Sequence, residues 1–229
     1  MPSGWNPATA TAPTKAPASA AVATVTEGSE LAAGTKVSSS LATAAVATSA
    51  SLVKNQRSQT TSYYCGPAAV HEALGVQGVS SSQNGLADRM NTTSDGTAWY
   101  TGSSYPVPDT LNTKLGHYFY VPVNVNYTPT SAQTTAYKTD LVSDISNGYA
   151  PIGNAYEVPG GPHLVGHPTN KTIYHYFEIR GYSSAGSSTM YEDSVHGASS
   201  ISWSSGVPAY STMSSATITT IVGGRGYVW

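Results

Sequence analysis

The sequence predicts an α+β domain. Helical patterns fill the first part of the folded region, strand patterns fill the second, and the two classes do not alternate as they would in a parallel βαβ chain. No internal repeat interrupts that order. The chain has 229 residues, enough for one domain with its own core and a tail. Hydrophobic residues make up 39% and charged residues only 10%, well under the ~25% charged fraction of an average soluble domain. Ser, Thr, 22 Gly and 16 Tyr carry the polarity instead.

The elements follow in order. Residues 1–51 are dominated by Ala, Thr, Ser and Pro with a single aromatic, Trp5, and no sustained period. Such a segment cannot bury enough area to offset the entropy of ordering, so it reads as a tail, linker or pro-segment ahead of a domain at 52–229. Its last stretch, LATAAVATSA, is too rich in Ser and Thr for the apolar core of a signal peptide. Ala69, Val70, Ala73 and Leu74 recur at helical spacing after Cys65, with Gly75 placed as a stop. Ser80, Ser81 and Ser82 open a second helix running to Met90, and a third covers Asp109 to Leu115 before Gly116. Tyr118 to Asn126 has strand composition, although Pro122 pushes it to an edge or a bulge. Thr130 to Asn147 is the longest helical pattern, with Ala136, Tyr137, Leu141 and Ile145 on one face and Gly148 beyond its end.

Strands are expected at Ala150 to Tyr156, Ile173 to Tyr182, Thr189 to Asp193 and Gly226 to Trp229. In IYHYFEIRGY, alternation puts Ile173, His175, Phe177 and Ile179 on one inward row and Tyr174, Tyr176, Glu178 and Arg180 on the other.

Ten Lys and Arg against twelve Asp and Glu give a net charge of -2 with no basic run, so the electrostatic footprint of nucleic-acid binding is missing. No stretch has the ~18 consecutive apolar residues of a membrane span. The low charge and hydroxyl-rich composition suit a secreted protein, expected to be a monomer.

One cysteine, Cys65, cannot form an internal disulfide or a multi-thiolate metal site. It stands at the first turn of the predicted helix, where the helix dipole favours thiolate over thiol. Gly66 allows close backbone approach and Pro67 suits a first helical turn. A sulfur nucleophile also needs a base, a group that orients the base, and donors for an oxyanion. Gln59, six residues earlier, can fold back so that its amide joins the Cys65 backbone N–H. His175 is the candidate base. Asp193 follows eighteen residues later, at the end of the next strand, where antiparallel pairing would bring it beside His175.

The segments QTTSYYCGPAAV (Gln59 to Val70), HYFEIRGY (His175 to Tyr182) and MYED (Met190 to Asp193) resemble the three signature blocks of the C39-like cysteine peptidases, common among secreted actinobacterial proteins. The resemblance spans Lys54 to Trp229. It implies a papain-like fold with Cys65 as nucleophile, His175 as general base, Asp193 as orienting acid and Gln59 as oxyanion donor. It implies no cofactor and a peptide or protein substrate. Many members have Pro directly after the Asp, where this chain has Ser194, and the 110-residue step from Cys65 to His175 marks a compact version of the fold.

Tyr63 and Tyr64, flanking the nucleophile, and Gly66 are candidates for the substrate groove. His163 and His167 have an i, i+4 spacing, but PGGPHLVGHP is bracketed by Gly and Pro, so a loop near the site's mouth is expected there rather than a zinc-binding helix. No metal site is assigned. The same apparatus could act on peptidoglycan cross-links as an amidase, or as an acyl transferase. An inactive peptide-binding module is the alternative outside enzymology.

Overall fold

A computed structural model describes residues 47–229. The tail expected at 1–51 therefore lies mostly outside the described residues. Its last part does not: strand β1 (Ala50–Ser51) pairs with Tyr182 and Gly181, so the fold starts a little before Leu52. The other elements are α1 (Cys65–Val76), α2 (Gln83–Arg89), α3 (Pro106–Leu115), β2 (Pro122–Asn124), α4 (Ser131–Ser146), β3 (Ile152–Glu157), β4 (Ile173–Ser183), β5 (Ser188–Glu192), β6 (Tyr210–Ser214), α5 (Ser215–Ile221) and β7 (Gly226–Val228). Helices and an entirely antiparallel sheet in this order make an α+β fold.

The strand order is β2-β7-β3-β4-β5-β6, with β1 also on β4. The central strand β4 is covered on both faces. Ile152 and Tyr176 pack with Ala69, Val70, Ala73 and Leu74 under α1. Phe177, Ile179 and Ala155 pack with Tyr137, Leu141 and Ile145 of α4 and Ile218 and Ile221 of α5. The division of β4 into one inward and one outward row is thus corrected: Tyr176 and Glu178 are buried too. A strand between two helical layers loses the period-2 signal of a half-exposed one.

Local chemistry explains the helix ends. Thr130 and Gln133 form a reciprocal capping box on α4. Pro106 occupies the first turn of α3, and Gly116, at φ +74°, closes it in the left-handed conformation. In α1, Gly75 does not end the helix; the chain continues to Val76 and reverses at Gly78, φ +68°. The strand expected over Tyr118 to Asn126 shrinks to three residues beginning at Pro122, which has no N–H for the ladder. Element β6 has no counterpart in the sequence reading, and of α5 only the end is foreshadowed, by Gly223 and Gly224 read as a helix C-terminus. Their Ser- and Thr-rich segments, YSTMS and SATITTI, carry weak propensity, and Ser214 initiates α5 by accepting from Thr217 N.

Candidate active site

The site forms where β5 leaves β4. The last paired residue of β5 is Glu192, opposite Glu178, and Asp193 follows immediately. The N-terminus of α1 approaches the gap so opened. Tyr64 caps α1 without a side-chain hydrogen bond, so the first-turn amides remain available around the sulfur. The extended segment before α1 is pinned by buried carboxylates: Asn55 N donates to both Glu192 oxygens at 2.9 and 3.0 Å, and Arg57 N donates to Glu72 Oε1 at 2.7 Å. Gln56 Nε2 donates to Asp193 O at 3.0 Å, and Gln59 N to Ser194 O at 2.8 Å. These bonds register the Gln59 segment against the Asp193 loop although neither belongs to a strand there.

Cys65, His175 and Asp193 come together as the sequence arrangement predicts. His175 Nε2 lies 3.1 Å from Asp193 Oδ1, and the same imidazole acts on the Cys65 thiol. Asp193 Oδ1 also accepts from Val195 N at 2.9 Å. All three side chains are buried. Burial alone would raise the Cys65 pKa. The hydrogen bond and positive charge of His175, with the Tyr176 and Gly66 backbone N–H groups, outweigh it and hold the thiol below its usual range. Burial would depress His175, but the Asp193 charge and hydrogen bond, together with Cys65, raise it well above an ordinary histidine. Burial would likewise raise Asp193, yet His175 and His167 hold it far below the usual carboxylate range. A depressed thiol beside an elevated imidazole is the electrostatic signature of a thiolate–imidazolium pair.

His167 departs from expectation. It is not an open residue at the mouth of the site but is buried on the far side of Asp193, with Nε2 3.0 Å from Asp193 Oδ2 and Nδ1 2.8 Å from Glu157 Oε2. Neither His167 nor Glu157 was legible as part of the site. The segment carrying His163 and His167 is non-helical, and His163 bonds only the carbonyls of Gly161 and Lys171. Among the described residues, His167, His175 and Asp193 are the one group spaced for a metal ion, with ligand atoms within 4.8 Å. Those same atoms are engaged with one another, which makes the group a hydrogen-bonded relay.

Gln59 is buried in the loop before α1. Its Oε1 accepts from Ser194 Oγ at 3.2 Å and its Nε2 donates to Thr61 O at 2.8 Å, leaving one N–H on the same nitrogen. Tyr63 and Tyr64 are half-exposed, their rings 5.2 Å apart edge to face. Gly66 faces packing rather than open space: an added Cβ would lie 2.8 Å from Thr97 Cβ and 3.4 Å from the Tyr176 ring.

A buried Cys-His-Asp arrangement between a helix N-terminus and an antiparallel sheet defines the chain as an α+β protein of papain-like fold. The chain belongs to the Peptidase_C39 like family, whose model matches residues 52–217. Among solved structures it is similar to a candidate C39-like peptidase from Bacillus anthracis, at 11% identity and TM-score 0.46, over 79% of this chain and 96% of that one. Comparison with curated proteins finds no match.

Proposed function

We propose that this protein is a cysteine peptidase that cleaves peptide bonds through an acyl-enzyme. The observation that carries the reading is the single thiol at the start of α1, electrostatically paired with His175, which is itself held by Asp193. Cys65 attacks the substrate carbonyl as thiolate. The developing oxyanion takes hydrogen bonds from the Cys65 backbone N–H and the free N–H of Gln59. His175 then gives its proton to the leaving amine, the C–N bond breaks, and a thioester to Cys65 remains. Water, deprotonated by His175, attacks the thioester; the C–S bond breaks and the thiolate is restored. Asp193 keeps the imidazole oriented and stabilises its cationic form. Tyr63 and Tyr64 border the nucleophile and are assigned to the substrate groove.

The test is mass spectrometry of a diverse peptide mixture treated with wild type and Cys65→Ala, with purified peptidoglycan in a parallel arm. Cleavage of peptides by wild type alone supports the reading. Turnover confined to peptidoglycan would assign the apparatus to cell-wall cross-links, and equal behaviour of the two proteins would end the enzymatic reading.

A further inference from the structure

We propose that His167, clamped by Glu157, is a positioning residue of this site: it fixes the Asp193 carboxylate and, as an imidazolium, tempers the hold of Asp193 on the His175 proton. The inference rests on the peptidase reading for its catalytic meaning, but its geometry stands apart from it. Each ring nitrogen of His167 faces a carboxylate oxygen, Glu157 Oε2 at 2.8 Å and Asp193 Oδ2 at 3.0 Å. An ionised carboxylate only accepts, so the proposal places a proton on each ring nitrogen. The result is a buried string of alternating charge: Glu157, His167, Asp193, His175, Cys65.

The string is rigidly built. Leu164 N donates to Glu157 Oε1 at 2.8 Å, and His167 N donates to Leu164 O at 3.1 Å, so one carboxylate holds both the ring and its loop. Val165 N donates to Tyr191 OH at 2.9 Å, and the Trp203 ring stands edge-on to His167 at 4.8 Å. Beyond its own five members, the ionisable groups facing the string are Glu72 from α1, Tyr176 from β4 and Tyr191 from β5. Burial would lower the His167 pKa, but the hydrogen bonds to Asp193 and Glu157 raise it on balance. Its ring centre is 5.3 Å from that of His175, so its positive charge opposes protonation there.

Glu157→Gln isolates this effect. Leu164 N keeps the amide oxygen of the Gln as its acceptor, so the amide nitrogen faces His167 Nδ1 and donates, leaving His167 neutral while its Nε2–H still reaches Asp193. Asp193 then acts on His175 undiluted. The experiment is the rate of Cys65 alkylation by iodoacetamide, followed from about pH 4 to pH 10 in the full chain. In Glu157→Gln the alkaline inflection, where His175 loses its proton, should move up by about one unit. An unchanged inflection in a folded variant overturns the proposal, because a merely structural role would alter melting temperature and leave the profile in place. A wild-type thiol with one ordinary titration near ~8.5 would instead sink the peptidase mechanism. Independently of any variant, ¹⁵N-histidine NMR of the wild type should show both His167 ring nitrogens protonated at neutral pH. A neutral His167 ring overturns the proposal whatever Cys65 does.

Discussion

Ser194 donates its hydroxyl to Gln59 Oε1 at 3.2 Å while its own carbonyl accepts the Gln59 backbone N–H at 2.8 Å. Ser194 directly follows Asp193, so the candidate orienting carboxylate and the candidate oxyanion donor are tied to one short stretch of backbone. A Pro in this place, as in many relatives of the resemblance, offers no hydroxyl. The Thr61 carbonyl, which only accepts, fixes the Gln59 nitrogen on its side, and the Ser194 hydroxyl anchors the oxygen at the other end of the amide. Ser194→Ala should therefore lower kcat about tenfold with KM little changed, and Gln59→Ala about a hundredfold. Steady-state kinetics on a peptide found in the cleavage screen checks both. An equal rise in KM with kcat preserved would place Gln59 in substrate binding instead.

Asp193→Asn should be more damaging than the change of one atom suggests. Asp193 Oδ1 faces His175 and Oδ2 faces His167. An Asn side chain has one accepting oxygen and one donating nitrogen, so one histidine must meet an N–H with its own proton removed. Turnover is expected to fall at least about tenfold, and the thiolate should form at higher pH as the imidazolium loses its counter-charge. Alkylation of Cys65 followed against pH checks the second effect without needing a substrate.

Cys65, the candidate nucleophile, is legible because its signal is local: Cys-Gly-Pro followed by an apolar helical period fixes a helix N-terminus within a few residues. His175 and Asp193 needed only that two neighbouring strands pair antiparallel, which β4 and β5 do. Glu157 and His167 needed more. Glu157 shares a sheet face with His175 only through the β3–β4 register, in which Ala155 opposes His175 and Glu157 opposes Ile173. No local pattern announces that register, and Gly and Pro around His167 hide a buried loop behind the signature of an exposed one. Similarly, α5 stands on burial of Ile218, Ile221 and Val222 in the cluster that includes α4, and β6 on its ladder with β5, tertiary effects that override weak Ser and Thr propensities.

Gly66→Ala tests how closely α1 must approach the sheet. The missing side chain lets Thr97 and Tyr176 sit against the helix backbone one residue from Cys65. Thr97 is β-branched and its hydroxyl is 2.7 Å from that of Thr92, so it cannot easily swing away. The methyl should destabilise the protein by about 2 kcal/mol through overpacking, lowering the melting temperature by about 6 °C. Calorimetry checks the loss. Unchanged stability would mean that the Thr97 loop yields freely.

Glu178 gives a pH prediction of the opposite sign to an ordinary surface carboxylate. It is fully buried between α1 and the sheet, opposite Glu192, and neither of its oxygens has a hydrogen-bond partner among the described residues. Burial first, then the charges of Glu192 and Glu72, raise its pKa well above the usual range, against a smaller lowering by Arg180. The folded protein thus binds a proton at Glu178 that the unfolded chain releases near ~4.3. Its contribution to stability is complete below that pH and is lost progressively as pH rises through the folded value. Glu178→Gln removes the titration and keeps the shape. The variant should melt close to wild type near pH 4 and at least about 3 °C higher than wild type at pH 8. Thermal unfolding at both pH values checks it, and a variant that loses stability at pH 8 would mean that the ionised carboxylate is favoured in the fold.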